Sequence, residues 1–327
     1  MTRLVVAGAG WAGAVHVATG GRSVSHVLSR TTESAERLAA QVTAAAGTYA
    51  ELSSKADAVI VASPPEHHAP FALDALARGL AVLIEKPLCA KLTEADQLAS
   101  AAESSGLLTG YAENLLFAPA VEAALAHRST LGPLRHLSIR TLQPPPDWGH
   151  FLEPLTDGGA LFDLGAHATA LALALAGSEP VGVSAALSSS RADGADDLAS
   201  VRLRFADGLV AEIEVSWLSA EATWDVQAAA DEGVVRIELL PEVRLELDGD
   251  EIALVDTDPL VAMGYRGQVD GFLAALEGRG GRVCPLGFGR LVLEVTSAAY
   301  LSAGTGGEVS LPYEGPRDLT PLQLWLG

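Results

Sequence analysis

Basic residues are scarce in this 327-residue chain: 21 Lys and Arg face 41 Asp and Glu, a formal charge of −20. A field of that sign repels phosphate backbones and anionic lipid surfaces, so neither nucleic acid nor a membrane is an expected partner. Cysteine is scarcer still. Cys89 and Cys284 are too few and too far apart for a disulfide framework or a zinc spacing; no metal is expected, and a reduced, cytoplasmic setting suits them. The apolar stretch nearest to a membrane span, "LFDLGAHATALALALAG", carries Asp163 and His167 and falls short of the ~20 residues a bilayer requires. It reads as a buried helix. The opening "MTRLVVAGAGWAG" has no export-signal core, and the sequence has neither an internal repeat nor a low-complexity linker.

What the chain does have is apolar material, 49% of its residues, and length enough for two domains or one large one. Over residues 1–117 five short apolar runs, "RLVVAGAG", "SVSHVLSR", "ADAVIVASPP", "LAVLIEKP" and "LLTGYAEN", alternate with Ala-rich helical stretches. That rhythm argues for a parallel α/β sheet whose strand ends line one ligand-binding edge. From about Pro133 the runs lengthen and alternate, as in "LRHLSIRTLQ" and "LASVRLRFADGLVAEIEVSWL", with hairpin signals at "ADG" and "LDGDE". A mostly antiparallel sheet is expected over 118–327, interrupted by a helix from about Gly159 to Ala176. The fold class is therefore α/β plus α+β: a dinucleotide-binding domain, 1–117, then a domain with a large open sheet, 118–327.

Three groups of residues carry chemistry. Gly8, Gly10 and Gly13, with Trp11 and Ala12 between them, form a G-x-G-x-x-G directly after a strand and before a helix. Such glycines allow a tight turn and close backbone approach, and the helix N-terminus presents N–H groups to a pyrophosphate. The second strand ends in Ser29-Arg30-Thr31 with no carboxylate for an adenosine ribose. A hydroxyl followed by a guanidinium suits a 2′-phosphate, which favours NADP(H) over NAD(H); the alternative is a solvated loop arginine. The third group is Ser63-Pro64 with His68 downstream, then Glu85-Lys86-Pro87 at the end of an apolar run, and finally "DGGALFDLGAHA". In the last of these Asp163 and His167, four apart, share a helix face. A surface pair or a satisfied buried histidine would have the same spacing.

Taken in order, these motifs resemble the Gfo/Idh/MocA oxidoreductases, the glucose-fructose oxidoreductase and inositol dehydrogenase group, over nearly the whole chain. The resemblance implies a Rossmann domain followed by an open-sheet domain that often mediates oligomers, hence a homodimer or homotetramer. It implies hydride transfer between a nicotinamide and a secondary alcohol or ketone of a sugar, cyclitol or related polyol. Lys86 and His167 are then the proton-transfer candidates and Asp163 the positioning group. A partly buried lysine can have its pKa lowered into a useful range. Glu85 would position the lysine or cofactor, and Pro87 would fix the turn, with a cis bond as the family suggests. His16 in the first helix matches a family habit, helix packing being its simpler role.

The chain departs from the family pattern at Glu113-Asn114, where relatives carry a Tyr-x-x-Arg type of segment; Asn114 can still bond a cofactor amide or a sugar hydroxyl. In the Pro-rich loop Gln143 to Asp157, which also holds His150, Trp148 offers an apolar face for a ring and Asp147 a polar anchor, or the loop only bridges strand and helix. Two other functions remain open: redox-assisted elimination or glycoside cleavage with a retained, recycled cofactor, and a non-catalytic ligand sensor.

Overall fold

The computed structural model describes residues 2–52, 56–128, 130–254 and 258–327. In chain order the first elements are β1 (Leu4–Ala7), α1 (Trp11–Gly20), β2 (Val24–Ser29), α2 (Thr32–Ala39), β3 (Ala45–Thr48), β4 (Ala58–Val61), α3 (His68–Ala77), β5 (Ala81–Glu85), α4 (Leu92–Ser105) and β6 (Thr109–Ala112). Then come α5 (Pro119–Arg128), β7 (Leu134–Leu142), α6 (Ala160–Ala176), β8 (Pro180–Ser188), β9 (Leu198–Phe205), β10 (Val210–Ser216), β11 (Thr223–Ala230), β12 (Val234–Leu240), β13 (Arg244–Leu247) and β14 (Asp250–Glu251). The last are α7 (Pro259–Ala262), α8 (Tyr265–Leu276), α9 (Leu286–Thr305), β15 (Val309–Ser310) and α10 (Pro321–Leu326). Among the described residues no helix is long and apolar enough to cross a membrane.

The chain forms two compact units, one of Met1–Asn114 with Gly264–Arg290, the other of Leu115–Met263 with Leu291–Gly327. The first unit is a six-stranded sheet in the order β3-β2-β1-β4-β5-β6, parallel throughout. Every residue of β1, β4 and β5 is buried, as expected of a parallel sheet covered on both faces. β3 differs from the sequence expectation. The helical stretch "TTESAERLAAQVTAA" is expected to run to Ala45 with no strand after it, yet α2 stops at Ala39 and "AAGT", of little β propensity, pairs with β2. The segment 264–290, expected in the second domain, belongs to the first unit. There α8 packs against α1 and adds Val269, Phe272 and Leu273 to the apolar cluster of Leu4, Val6 and Val17.

The second unit holds a nine-stranded sheet in the order β14-β13-β12-β11-β7-β10-β9-β8-β15. All neighbours are antiparallel except β7 and β10, which run parallel from Val210↔His136 to Ser216↔Leu142. Burial alternates strictly along β9, and α6 covers the apolar face over β7, β9 and β10. The opposite face is polar. Cross-strand ion pairs Arg140 with Asp225 and Arg236 with Glu246 lie on it. β15, in the Pro- and Gly-rich ending where no strand was expected, pairs with β8.

Candidate active site

In the first unit, the order with β1 beside β4 sets a topological switch point at the carboxyl ends of those strands, where open α/β sheets bind ligands. The candidate residues fall on that edge. Gly8 follows β1, Ser29 and Arg30 end β2, Ser63 follows β4, Glu85 and Lys86 end β5, and Glu113 and Asn114 follow β6.

The three glycines answer to different constraints. Gly8 has φ +140°, and a Cβ there would lie 2.0 Å from the Ala62 carbonyl oxygen, so only glycine lets the two strand ends come together. A Cβ on Gly13 would lie 2.0 Å from the Gly8 carbonyl oxygen, while one on Gly10 meets nothing within 4 Å. Gly10 is the N-cap of α1, which has no side-chain cap and no acidic residue in its first turn. The first N–H groups of that helix thus face an open approach, which fits a dinucleotide pyrophosphate. Trp11 is half-exposed and makes an edge contact with Tyr265, ring centroids 5.8 Å apart.

At the end of β2, Ser29 is buried near the Tyr49 phenol, whose pKa burial raises against the opposing pull of the Arg30 charge and the Ser29 hydroxyl. Thr31 caps α2, its hydroxyl accepting from the Ser34 N–H at 3.4 Å. Arg30 and Thr31 are both exposed, and Arg30 is the charged member of the triplet.

Beneath the turn that carries Lys86 lies a buried polar cluster. His16 Nε2 is 2.6 Å from Glu85 Oε1, and Glu85 Oε2 accepts the Lys86 backbone N–H at 3.0 Å. Burial pushes the Glu85 pKa up, but the His16 hydrogen bond and the nearby charges of His16, Lys86 and His68 outweigh it and hold the carboxyl below its ordinary value. His16, which helix packing alone would explain, is in fact the partner of the first residue in the E-K-P triplet. His68 is fully buried, with Nε2 2.6 Å from the Ser63 carbonyl and Nδ1 2.9 Å from the Pro87 carbonyl. Burial lowers its pKa despite those carbonyls and the Glu85 carboxylate; either tautomer of the neutral ring has an acceptor in reach. His68 therefore ties the turn after β4 to the turn after β5 rather than presenting its ring to a ligand. The Lys86-Pro87 bond is cis. Lys86 is half-buried, and Asn114 is buried at the start of a short 3₁₀ turn.

In the second unit, Asp163 and His167 lie on α6, the histidine buried with its ring centroid 5.4 Å from that of Trp224 and the aspartate partly exposed. The helix start is held from a distant segment. Asp196, fully buried, accepts from the N–H groups of Gly159 at 2.8 Å and Leu161 at 2.7 Å and from the Tyr300 hydroxyl. Its carbonyl accepts from Ala160 N–H at 2.8 Å. A Cβ on Gly159 would lie 1.9 Å from that carbonyl oxygen, which explains the glycine before the helix. Burial raises the Asp196 pKa against these hydrogen bonds. No local spacing in the sequence reveals Asp196 or Tyr300.

The loop after β7 is pinned rather than loose. Asp193 Oδ2 accepts from Leu155 N–H at 3.1 Å and pairs with Arg191, whose hydrogen bond is the main reason its carboxyl falls to about 2. Arg191 also stacks on Trp217, 5.7 Å from the ring centroid. Phe151 meets Trp217 at 5.8 Å and Trp148 at 5.1 Å. Trp148 and Asp147 are exposed. Among the described residues no cluster of three or more metal-ligating side chains occurs.

The parallel sheet, its uncapped glycine-led helix and the second open sheet define a Rossmann-type dinucleotide-binding protein with an appended α+β unit. Residues 2–112 match the family described as "Oxidoreductase family, NAD-binding Rossmann fold", and residues 123–252 match the "GFO/IDH/MocA C-terminal domain". The chain belongs to the Gfo/Idh/MocA oxidoreductase family. It is 34% identical over 162 residues, 48% of this chain and 49% of the relative, to dTDP-3,4-didehydro-2,6-dideoxy-alpha-D-glucose 3-reductase of Streptomyces antibioticus. It is 29% identical over 264 residues, 74% of this chain and 77% of the relative, to scyllo-inositol 2-dehydrogenase (NADP(+)) IolU of Bacillus subtilis. The chain spans about half the length of the first curated relatives it matches. Among solved structures, GenD2 from gentamicin A biosynthesis in complex with NAD superposes with a TM-score of 0.82 at 26% identity, covering 95% of this chain and 97% of GenD2.

Proposed function

We propose that this chain is an NAD(P)-dependent oxidoreductase acting on a secondary alcohol or ketone of a sugar, cyclitol or related polyol, with NADP(H) preferred. The observation that carries the reading is the uncapped N-terminus of α1 behind Gly8 and Gly10, on the same sheet edge as Lys86 and Arg30. A bound nicotinamide dinucleotide would supply or accept the hydride at the substrate carbon. The α1 amides would hold its pyrophosphate, Arg30 its 2′-phosphate, and Ser63, Pro64 and Asn114 would border it from neighbouring strand ends. Lys86 and His167 are the candidates to give or take the hydroxyl proton, with Asp163 orienting substrate. Glu85 and His16 act beneath, fixing the backbone on which Lys86 stands. The NADP(+) in the name of the Bacillus relative agrees with the phosphate argument, whereas the NAD bound to GenD2 does not.

The test is titration with NADPH and NADH, read by nicotinamide fluorescence, on wild type and Arg30→Ala. Tighter NADPH binding that Arg30→Ala weakens by about tenfold or more, with NADH binding unchanged, supports the assignment. Equal or tighter NADH binding refutes the phosphate preference. Turnover of a polyol panel that survives both Lys86→Ala and His167→Ala refutes the proton-transfer roles.

A further inference from the structure

The charge of −20 is not shared evenly. The second unit holds 28 of the 41 Asp and Glu residues and 9 of the 21 Lys and Arg, a net of −19, against 13 and 12, a net of −1, in the first. All of the lysines fall within the sequence range 1–114. The dinucleotide-binding unit thus does not repel an anionic cofactor as a whole, while the unit that carries Asp163 and His167 is strongly negative.

Screening at physiological salt limits such a field to about 8–10 Å, so local charges decide. Three segments meet at the sheet edge beside the start of α6: 143–158 after β7, 189–197 before β9 and 217–222 after β10. Together they carry seven carboxylates against one guanidinium, and that one, Arg191, is already paired with Asp193. Asp163 adds an eighth carboxylate from the helix. Within these three segments no guanidinium or ammonium is left over to receive a phosphate or carboxylate.

A second observation points to what the edge does accept. Asp197 Oδ1, Trp217 Nε1, Thr141 Oγ1 and Trp224 Nε1 are buried without hydrogen-bond partners. Strand register sets them in two adjacent cross-strand rows. Asp197 lies beside Trp217, whose backbone N–H donates to the Asp197 backbone carbonyl at 2.8 Å, and Thr141 lies opposite Trp224. Both rows have the inward parity of the face that α6 covers, and Trp224 meets the His167 ring. Indole donors, a hydroxyl and a carboxylate oxygen complement hydroxyls and an ammonium. The exposed Trp148 ring next to Asp147 adds a surface on which a cation or the apolar face of a sugar can rest.

We infer that the substrate is an amino-bearing sugar or aminocyclitol, drawn in as the ammonium form, and not a phosphorylated, carboxylated or nucleoside-diphosphate-linked sugar. The inference rests on the dehydrogenase reading for the location of the site but not for its charge. The experiment uses the full chain with NADP(H) at neutral pH. It compares 2-amino-2-deoxy sugars and aminocyclitols with their hydroxyl counterparts, their 6-phosphates and a UDP-linked sugar. Binding is measured by calorimetry and turnover by nicotinamide absorbance. The amino members are expected to bind about tenfold more tightly than their hydroxyl counterparts at low salt, with the ratio shrinking as salt is added. The exposed pair Asp147→Asn with Glu153→Gln is expected to cut that ratio about threefold while the melting temperature holds. Preference for the phosphate or UDP-linked members, parity between amino and hydroxyl members, or no binding of any amino member each overturns the inference. An amino sugar that binds preferentially but is never oxidised or reduced refutes the dehydrogenase reading and leaves the charge inference standing.

Discussion

Gly8 and Gly10 are separated by one residue, yet substitution should affect them in opposite ways. At Gly8 a methyl group would run into the Ala62 carbonyl at φ +140°, so Gly8→Ala is expected to cost about 3 kcal/mol or more of stability. At Gly10 the same methyl group has room, so Gly10→Ala should melt within a few degrees of wild type and still lose dinucleotide affinity. Thermal melts beside NADPH titrations separate the two, and a Gly10→Ala protein with wild-type affinity would remove the pyrophosphate assignment. The motif itself could be read from the sequence, but which glycine serves packing and which serves a ligand could not, because that depends on Ala62, more than fifty residues away. His16 is a similar case. Its helix position was visible and its partner Glu85 was not. Glu85 has a folded pKa below its ordinary value, so the stability it contributes is present above the usual carboxylate range and is lost as pH falls through the folded value. His68 is held below the ordinary histidine value of 6.5, so the unfolded chain takes up that proton first and stability begins to fall as pH drops below about 6.5. Both signs predict a protein that weakens on the acid side. Denaturant midpoints between neutral pH and pH 4 should show a shallower acid decline for Glu85→Gln, and an unchanged slope would mean that the pair with His16 is not ionic.

At the scale of the element, α6 is the helix whose start is built from elsewhere in the chain. Asp196→Asn would leave one oxygen where two now accept, and would aim an amide N–H₂ at another donor. A loss of about 2–3 kcal/mol is expected, against about 1 kcal/mol for Tyr300→Phe, both read from urea midpoints. Near-equal losses would show that the hydroxyl, not the backbone amides, depends on Asp196. The span of α6 and the glycines before it were legible, since an apolar run flanked by Gly159 and Gly177 marks its own ends. A cap donated from 35 residues downstream leaves no such mark. β3 escaped for the reverse reason: its residues have little β propensity, and only the free edge of β2 makes them a strand. The single parallel pairing of β7 with β10 was equally hidden, because alternation fixes which face a residue occupies and not the direction of the neighbouring strand.

For the whole molecule, the alternation of short strands and helices followed by long alternating strands was enough to anticipate both sheets. The return of α8 to the first unit was not, since an amphipathic pattern shows that a helix has an apolar face without naming the sheet it covers. Charge acts at this scale too. With a net of −19 in one unit, mutual repulsion opposes compaction, and the melting temperature should rise by several degrees as salt is added from low concentration. A homodimer or homotetramer, proposed from the family resemblance, would meet the ion-paired outer face of the nine-stranded sheet if it used that surface. Light scattering should then show an assembly that loosens in high salt, and a monomer at micromolar concentration would remove the proposal.

The divided first unit also bears on how the protein is made. A ribosome delivers β1 to β6 early, but Val269, Phe272 and Leu273, which complete their apolar cluster, emerge only after some 150 further residues, on the order of ten seconds of synthesis or more. Through that interval the nascent sheet shows the surface beside α1 to solvent and to chaperones. The proposed nucleotide site at the start of α1 can gain the support of α8 only when most of the chain has been translated.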